Sequence, residues 1–126
     1  MTDPKIAVVG AAETTEMGVI PKQSEFSLQA DAALNAIRDA GLEPSDIDGL
    51  AVAGQPVDAL AQYLGITPKW IDGTGIGGSS FLLHVRHAAA AIGFGYCKTM
   101  LIVHGESGKS GVGAAGFPKF IAGNIG

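Results

Sequence analysis

Cysteine is nearly missing from this chain: Cys97 stands alone in 126 residues. A single thiol excludes an internal disulfide framework and any cysteine-rich zinc site, and it fits a reducing compartment. Positive charge is sparse as well. The eight Lys and Arg residues are scattered against twelve Asp and Glu, for a net charge of −4, and no basic stripe is interleaved with aromatics. That balance argues against a nucleic-acid surface. Long apolar runs are also lacking, because glycine and polar residues interrupt every hydrophobic stretch far short of the ~20 residues a membrane-spanning helix requires. The opening Met1-Thr2-Asp3-Pro4-Lys5 lacks the charged, then apolar, then small-residue plan of a secretory signal, so a cytoplasmic location is expected.

What is present describes a globular chain. Hydrophobic residues make up 47% and charged residues 16%, enough apolar surface for a real core in one small domain or part of a larger one. Lys5-Ile6-Ala7-Val8-Val9 is a continuous apolar run that ends at Gly10, the pattern of a strand buried on both faces. Over residues 26–40, Leu28, Ala32, Ala33, Leu34 and Ile37 recur at helical spacing; Ser24 or Ser27 can cap the start and Gly41 supplies a left-handed exit. After a turn-rich stretch at 43–48, residues 49–53 read as a second strand. Residues 58–64 then read as a short helix ending at Gly65, and 69–72 as a third strand. A second long helix is expected from Ser79 to about Gly93, with Phe81, Leu82, Val85, Ala88, Ala89 and Ile92 as its apolar face, followed by a buried strand at 99–103. Strands alternating with helices at these intervals predict an α/β fold, a layered, mixed but mostly parallel sheet with helices on both faces.

From Gly105 onward glycine, alanine and serine dominate without a sustained period. Residues 105–126 are therefore expected to be loop-like, either a loop that closes over a ligand or, in preference, a segment ordered only by residues beyond it. The 126 residues are accordingly expected to form an incomplete domain.

The likeliest ligand site in the pattern is the corner between the third strand and the second long helix. There Gly73, Gly75, Gly77 and Gly78, followed by Ser79 and Ser80, allow close backbone approach, and the first-turn N–H groups of a helix attract anions or developing oxyanions. Gly73, Gly75 and Gly78 also fit the Gly-x-Gly-x-x-Gly spacing of a dinucleotide site, with Glu106 as the acid for a ribose hydroxyl. The short strand, third in the chain, and the distance to Glu106 leave a dehydrogenase fragment as an alternative only. Gly108-Lys109-Ser110 imitates the end of a phosphate-binding loop, but the motif's first glycine would fall on Val103, and the glycine-rich residues 111–116 make a poor helix. His84 and His87 lie three apart on one helix, a spacing that can serve a metal; with no acidic or cysteine partner nearby in sequence, they are read as hydrogen-bonding or partly exposed histidines. Cys97 is read as a small core residue.

With the elements so placed, the chain resembles the N-terminal half of the thiolase-like superfamily, particularly the sterol-carrier-protein-x and lipid-transfer-protein type of thiolase. Four passages in order carry the resemblance between Lys5 and about Ser110: the opening strand and loop through Ala11-Ala12-Glu13-Thr14, and Ala40-Gly41-Leu42 leading to Asp46-Ile47-Asp48-Gly49-Leu50. The other two are the Gly77-Gly78-Ser79-Ser80 turn entering an alanine-rich helix, and Leu101-Ile102-Val103-His104-Gly105-Glu106-Ser107. The resemblance implies half of a duplicated fold acting on acyl-coenzyme A thioesters. In a true thiolase the turn carries Cys-x-Ser-Gly, whose thiol attacks the acyl carbon. Aligned so, Gly78 takes the cysteine position, Ser79 the variable one, Ser80 the serine and Phe81 the glycine; a shift by one residue would put Gly77 there, and neither supplies sulfur. No catalytic residue is therefore assigned, and Ser79 and Ser80 are read as helix-start residues in preference to nucleophiles. Gly77, Gly78, Ser79 and Ser80 are expected to bind substrate.

Relatives with glycine at that position include proteins resembling carbon–carbon lyases that cleave a β-hydroxyacyl thioester by a retro-aldol step, often with a small OB-fold partner. The implied function is thus acyl transfer or retro-aldol cleavage on acyl-CoA, with no bound cofactor, coenzyme A thioester as substrate, a homodimeric state and no activity for these residues alone. The alternative from another class is a non-catalytic acyl-CoA- or lipid-binding or structural subunit.

Overall fold

A computed structural model of the chain describes residues 5–75 and 77–107. Segments 1–4 and 108–126 and Ile76 lie outside them, and with them the Lys109-Ser110 part of the phosphate-loop imitation and most of the 105–126 tail. Among the described residues the order is α1 (Glu25–Asp39), a 3-10 turn at Pro44–Asp46, β1 (Gly49–Val52), α2 (Val57–Leu64), β2 (Trp70–Asp72), α3 (Ser80–Gly93) and β3 (Met100–Val103).

All four residues of β1 are buried because this strand lies between the other two: both β2 and β3 pair with it in parallel, giving the order β2-β1-β3. Gly49 pairs with Trp70 and Met100, and Ala51 with Asp72 and Ile102, so the three strands end together at their carboxyl edge. Alternation along the strands separates two faces. Leu50, Val52, Leu101 and Val103 point to one face and join Ala30, Ala33 and Ile37 of α1 and Leu60, Ala61 and Leu64 of α2 in the core. Leu50 and Leu60 have no exposed surface, and burial of each contributes roughly 1.5–3 kcal/mol. On the opposite face β1 presents Gly49 and Ala51, flanked by Trp70 and Asp72 of β2 and by Met100 and Ile102 of β3, and α3 packs across all three strands.

The helix boundaries follow local chemistry. Ser24 caps α1, its hydroxyl accepting the N–H of Ser27 at 3.2 Å. All three helices then close in the same way. A left-handed glycine (Gly41, Gly65 or Gly95) follows, and the N–H of the next residue reaches back to the carbonyl five residues earlier: Leu42 to Ile37, Ile66 to Ala61 and Tyr96 to Ala91.

Two expectations need correction. The first concerns residues 5–9, which form no strand: Val8 is 82% and Val9 63% exposed. A strand needs a ladder partner, and here the following residues are strapped to α1 instead. The N–H of Ala11 donates to Asp39 and that of Thr15 to Asp31, while Gly10 lies so close that a Cβ would stand 2.7 Å from the Ala36 carbonyl oxygen. The second concerns α3. Of the expected face Ala88 is buried, but Phe81, Leu82 and Val85 face outward, and the side turned to the sheet is Ser80, His84, Ala88 and Ala91. The central strand offers only Gly49 and Ala51 on this face, so small residues of the helix fit above it where Phe or Leu would not. Cys97 behaves as a core residue: it is buried beside Gly49, and burial, with the negative charge of Asp48, pushes its thiol above the ordinary value.

Candidate functional site

The carboxyl edge of the sheet gathers the loop from β2 to α3, the Gly54 turn after β1 and the His104-Gly105-Glu106 segment after β3. Open crevices at this edge of parallel sheets are where ligands bind. The expected corner lies here. Gly77, at φ +106°, takes a conformation that side chains resist, and both Gly77 and Gly78 are exposed, with nothing among the described residues beyond their chain neighbours within 4 Å of where a Cβ would stand. Ser79 is exposed and holds the N-cap position of α3 without a side-chain capping bond. Ser80 is wholly buried, and its hydroxyl donates to the Gly77 carbonyl at 2.7 Å. Of the four expected binding residues, three thus face solvent, while Ser80 ties the turn from behind.

The first half of the corner is held by groups that local sequence spacing did not reveal. Asp72, the last residue of β2, accepts from the Thr74 hydroxyl at 3.1 Å and from Nδ1 of His87. Burial alone would raise its carboxyl, but the hydrogen bonds from His87 and Thr74 and the charge of the two imidazoles outweigh that and hold it below the ordinary value. His84, with no exposed surface, accepts the Thr74 N–H on Nε2 at 3.3 Å. An accepting Nε2 puts the proton of the neutral ring on Nδ1, which is buried with no hydrogen-bond partner among the described residues. Burial keeps this ring below its ordinary value, although the Asp72 carboxylate opposes the shift. His84 and His87 are therefore hydrogen-bonding histidines, and the acid that engages them arrives from a strand rather than from their own helix.

Two further residues escaped the pattern. Gln29, placed on α1 among its apolar positions, is wholly buried and donates through Nε2 to the carbonyls of Ala53 at 3.4 Å and Gly105 at 3.1 Å, clamping the ends of β1 and β3. A Cβ on Gly105 would lie 2.9 Å from its Cγ, so glycine is required for that approach. His104 follows β3, and its ring lies 5.8 Å from that of Phe81 in the first turn of α3. It also lines a cleft of about 390 Å³ between the 12–20 segment, Leu28 and Ala32 of α1, and Gly105 and Glu106. Glu106 is exposed at this cleft. Gly73, first of the dinucleotide-like glycines, sits where a Cβ would meet Val57 of α2 at 3.1 Å. Among the described residues no group of three or more acidic, histidine or cysteine side chains is arranged to hold a metal ion, and no helix is long and apolar enough to cross a membrane.

This fold, with a glycine corner between strand and helix at the carboxyl edge of a parallel sheet, is thiolase-like. The Ltp2-ChsH2(DUF35) aldolase matches with a TM-score of 0.65 and 32% identity over 84% of this chain and 30% of that one. A monomeric SCP2-thiolase like protein type 1 from Mycobacterium smegmatis matches at 0.64 and 25%, over 76% of this chain and 22% of its own. Among curated proteins the chain is 33% identical over 113 residues to a steroid side-chain-cleaving aldolase of Thermomonospora curvata, covering 86% of this chain. It is 30% identical over 116 residues to the 17-hydroxy-3-oxo-4-pregnene-20-carboxyl-CoA lyase of Mycobacterium tuberculosis, covering 89%. The chain spans 29% and 30% of the length of these two relatives. No protein-family profile matches it.

Proposed function

We propose that this chain is the N-terminal part of a cytoplasmic thiolase-like lyase that cleaves a carbon–carbon bond of a β-hydroxyacyl-CoA by a retro-aldol step. The observation that carries the proposal is the exposed corner at Gly77 and Gly78, where among the described residues nothing beyond the chain neighbours lies within 4 Å of a Cβ position and no sulfur stands at the position the thiolase resemblance assigns to the nucleophile. A retro-aldol step needs an oxyanion site for the departing enolate and a proton carrier, and needs no covalent acyl-enzyme. The aldolase and lyase names of the curated relatives favour this reaction over acyl transfer. Gly77, Gly78 and Ser79 line the thioester site, Ser80 supports it, and coenzyme A enters as part of the substrate with no resident cofactor. Homodimer formation follows from the thiolase resemblance alone. Association with a small OB-fold partner is supported by the aldolase neighbour, whose name joins Ltp2 to ChsH2(DUF35).

The full-length protein, incubated with a β-hydroxyacyl-CoA, is expected to yield a carbonyl compound and a shortened acyl-CoA in equal amounts without free thiol. Release of free coenzyme A, or no cleavage, counts against the proposal. Gly78→Val adds a side chain where no described residue beyond its chain neighbours is near and φ is not positive, so folding is expected to be unaffected. Thioester affinity measured by calorimetry should fall by about tenfold or more, which is ~1.4 kcal/mol.

A further inference from the structure

We propose that His104 is the proton carrier of the cleavage, taking the proton of the β-hydroxyl and returning it to the α-carbon; the inference rests on the retro-aldol function proposed above. The chain has three histidines, and all three stand at the carboxyl edge of the sheet. Two are already committed. His84 is wholly buried with Nε2 occupied by the Thr74 N–H, and His87 has Nδ1 held by Asp72. His104 alone has no hydrogen bond among the described residues. Among the described residues its Nδ1 is buried without a partner, its ring adjoins Phe81 at the start of α3, and the same residue lines the cleft of about 390 Å³. It is thus the one histidine that adjoins both the helix start, where an enolate would be held, and an open space large enough for an acyl group.

Its backbone is fixed rather than loose. Gln29 clamps the Gly105 carbonyl from within the core, and the N–H of Ala53 donates to the Val103 carbonyl at 3.2 Å, so the residues on either side of His104 are pinned to the sheet. Preorganisation of this kind is what a proton-transfer group requires. In the step itself, neutral His104 accepts the β-hydroxyl proton as the Cβ–O bond becomes a carbonyl. The Cα–Cβ bond breaks, and its electron pair passes into the thioester enolate. The imidazolium then returns the proton to Cα, leaving the histidine neutral and the shortened acyl-CoA complete.

The reverse half of this step can be read alone. In D2O the full-length protein with butanoyl-CoA should exchange the α-hydrogens of the thioester, followed by mass spectrometry. His104→Ala is expected to slow exchange about 100-fold or more, with calorimetric affinity for butanoyl-CoA changed by less than about threefold. Added imidazole should restore part of the rate, which a merely structural histidine would not allow. His104→Gln, similar in bulk, provides a second variant should alanine unfold the protein, and the same loss of exchange is expected. If both variants exchange as the wild type does, or lose binding together with exchange and gain nothing from imidazole, His104 is not the carrier. If the wild type binds butanoyl-CoA but the variants leave its exchange intact, the retro-aldol function survives; if the wild type neither binds nor exchanges, both fall.

Discussion

His84 shows how one buried side chain sets the pH response of the corner. Its ring is wholly enclosed, and protonation of Nε2 would both charge a buried group and break the bond from the Thr74 N–H. Folding therefore disfavours the charged form, and the unfolded chain binds the extra proton more readily. Stability from this group is complete above its ordinary value of 6.5 and declines as pH falls below it. Asp72 acts in the same direction but lower, since its folded carboxyl lies below 3.8 and its contribution is lost only as pH falls past that value. Urea denaturation of the wild type at a series of pH values should show a loss of stability beginning near pH 6.5 and a second below pH 3.8. His84→Gln should remove the first loss and keep the second. His84→Ala should cost about 2–4 kcal/mol at neutral pH, because it leaves a void and an unpaired Thr74 N–H. An unchanged pH profile in His84→Gln would show that the buried ring does not govern this window.

At the level of the elements, what was legible depended on whether the signal was local. The α1 cap at Ser24 and the glycine exits at 41 and 65 are short-range chemistry, written within a few residues and found as expected. The phase of α3 was not legible. Its larger apolar residues do form a stripe, but which stripe is buried depends on the size of the residues beneath, and Gly49 and Ala51 of the central strand lie about thirty or more positions away in sequence. The same limit hid the Asp72 contact with His87 and the Gln29 clamp, which join separate elements. A paired substitution tests the phase. Ala91→Leu places a larger side chain against the sheet and should destabilise by about 1–3 kcal/mol, whereas Leu82→Ser on the outer face, where Leu82 is 60% exposed, should change stability by less than about 0.5 kcal/mol. Chemical denaturation of the two variants suffices; similar losses in both would place the wrong face inward.

Across the molecule, stability is concentrated where the sheet is doubly paired, and the site is built at the margin of that region. β1 bonds to strands on both sides and lies between helix layers, so its amides open only with the whole fold. The corner at Gly77 and Gly78 sits beyond the sheet's edge, exposed among the described residues and anchored behind by Ser80, Asp72 and His84. Rigid support beneath an exposed backbone suits the proposed thioester site, which would have to admit a ligand and still hold its donors in place. Residues 5–9 form the opposite case: an apolar run with strand composition and no ladder among the described residues. Its amides consequently have no protection beyond that of an exposed chain. Hydrogen exchange on this chain should show the amides of residues 50–52 exchanging slowest of all, at the rate of global unfolding, and those of residues 6–9 exchanging close to the unprotected rate. Equal protection of the two segments would mean that the N-terminal run has found a strand partner, and the architecture would then have to include a fourth strand.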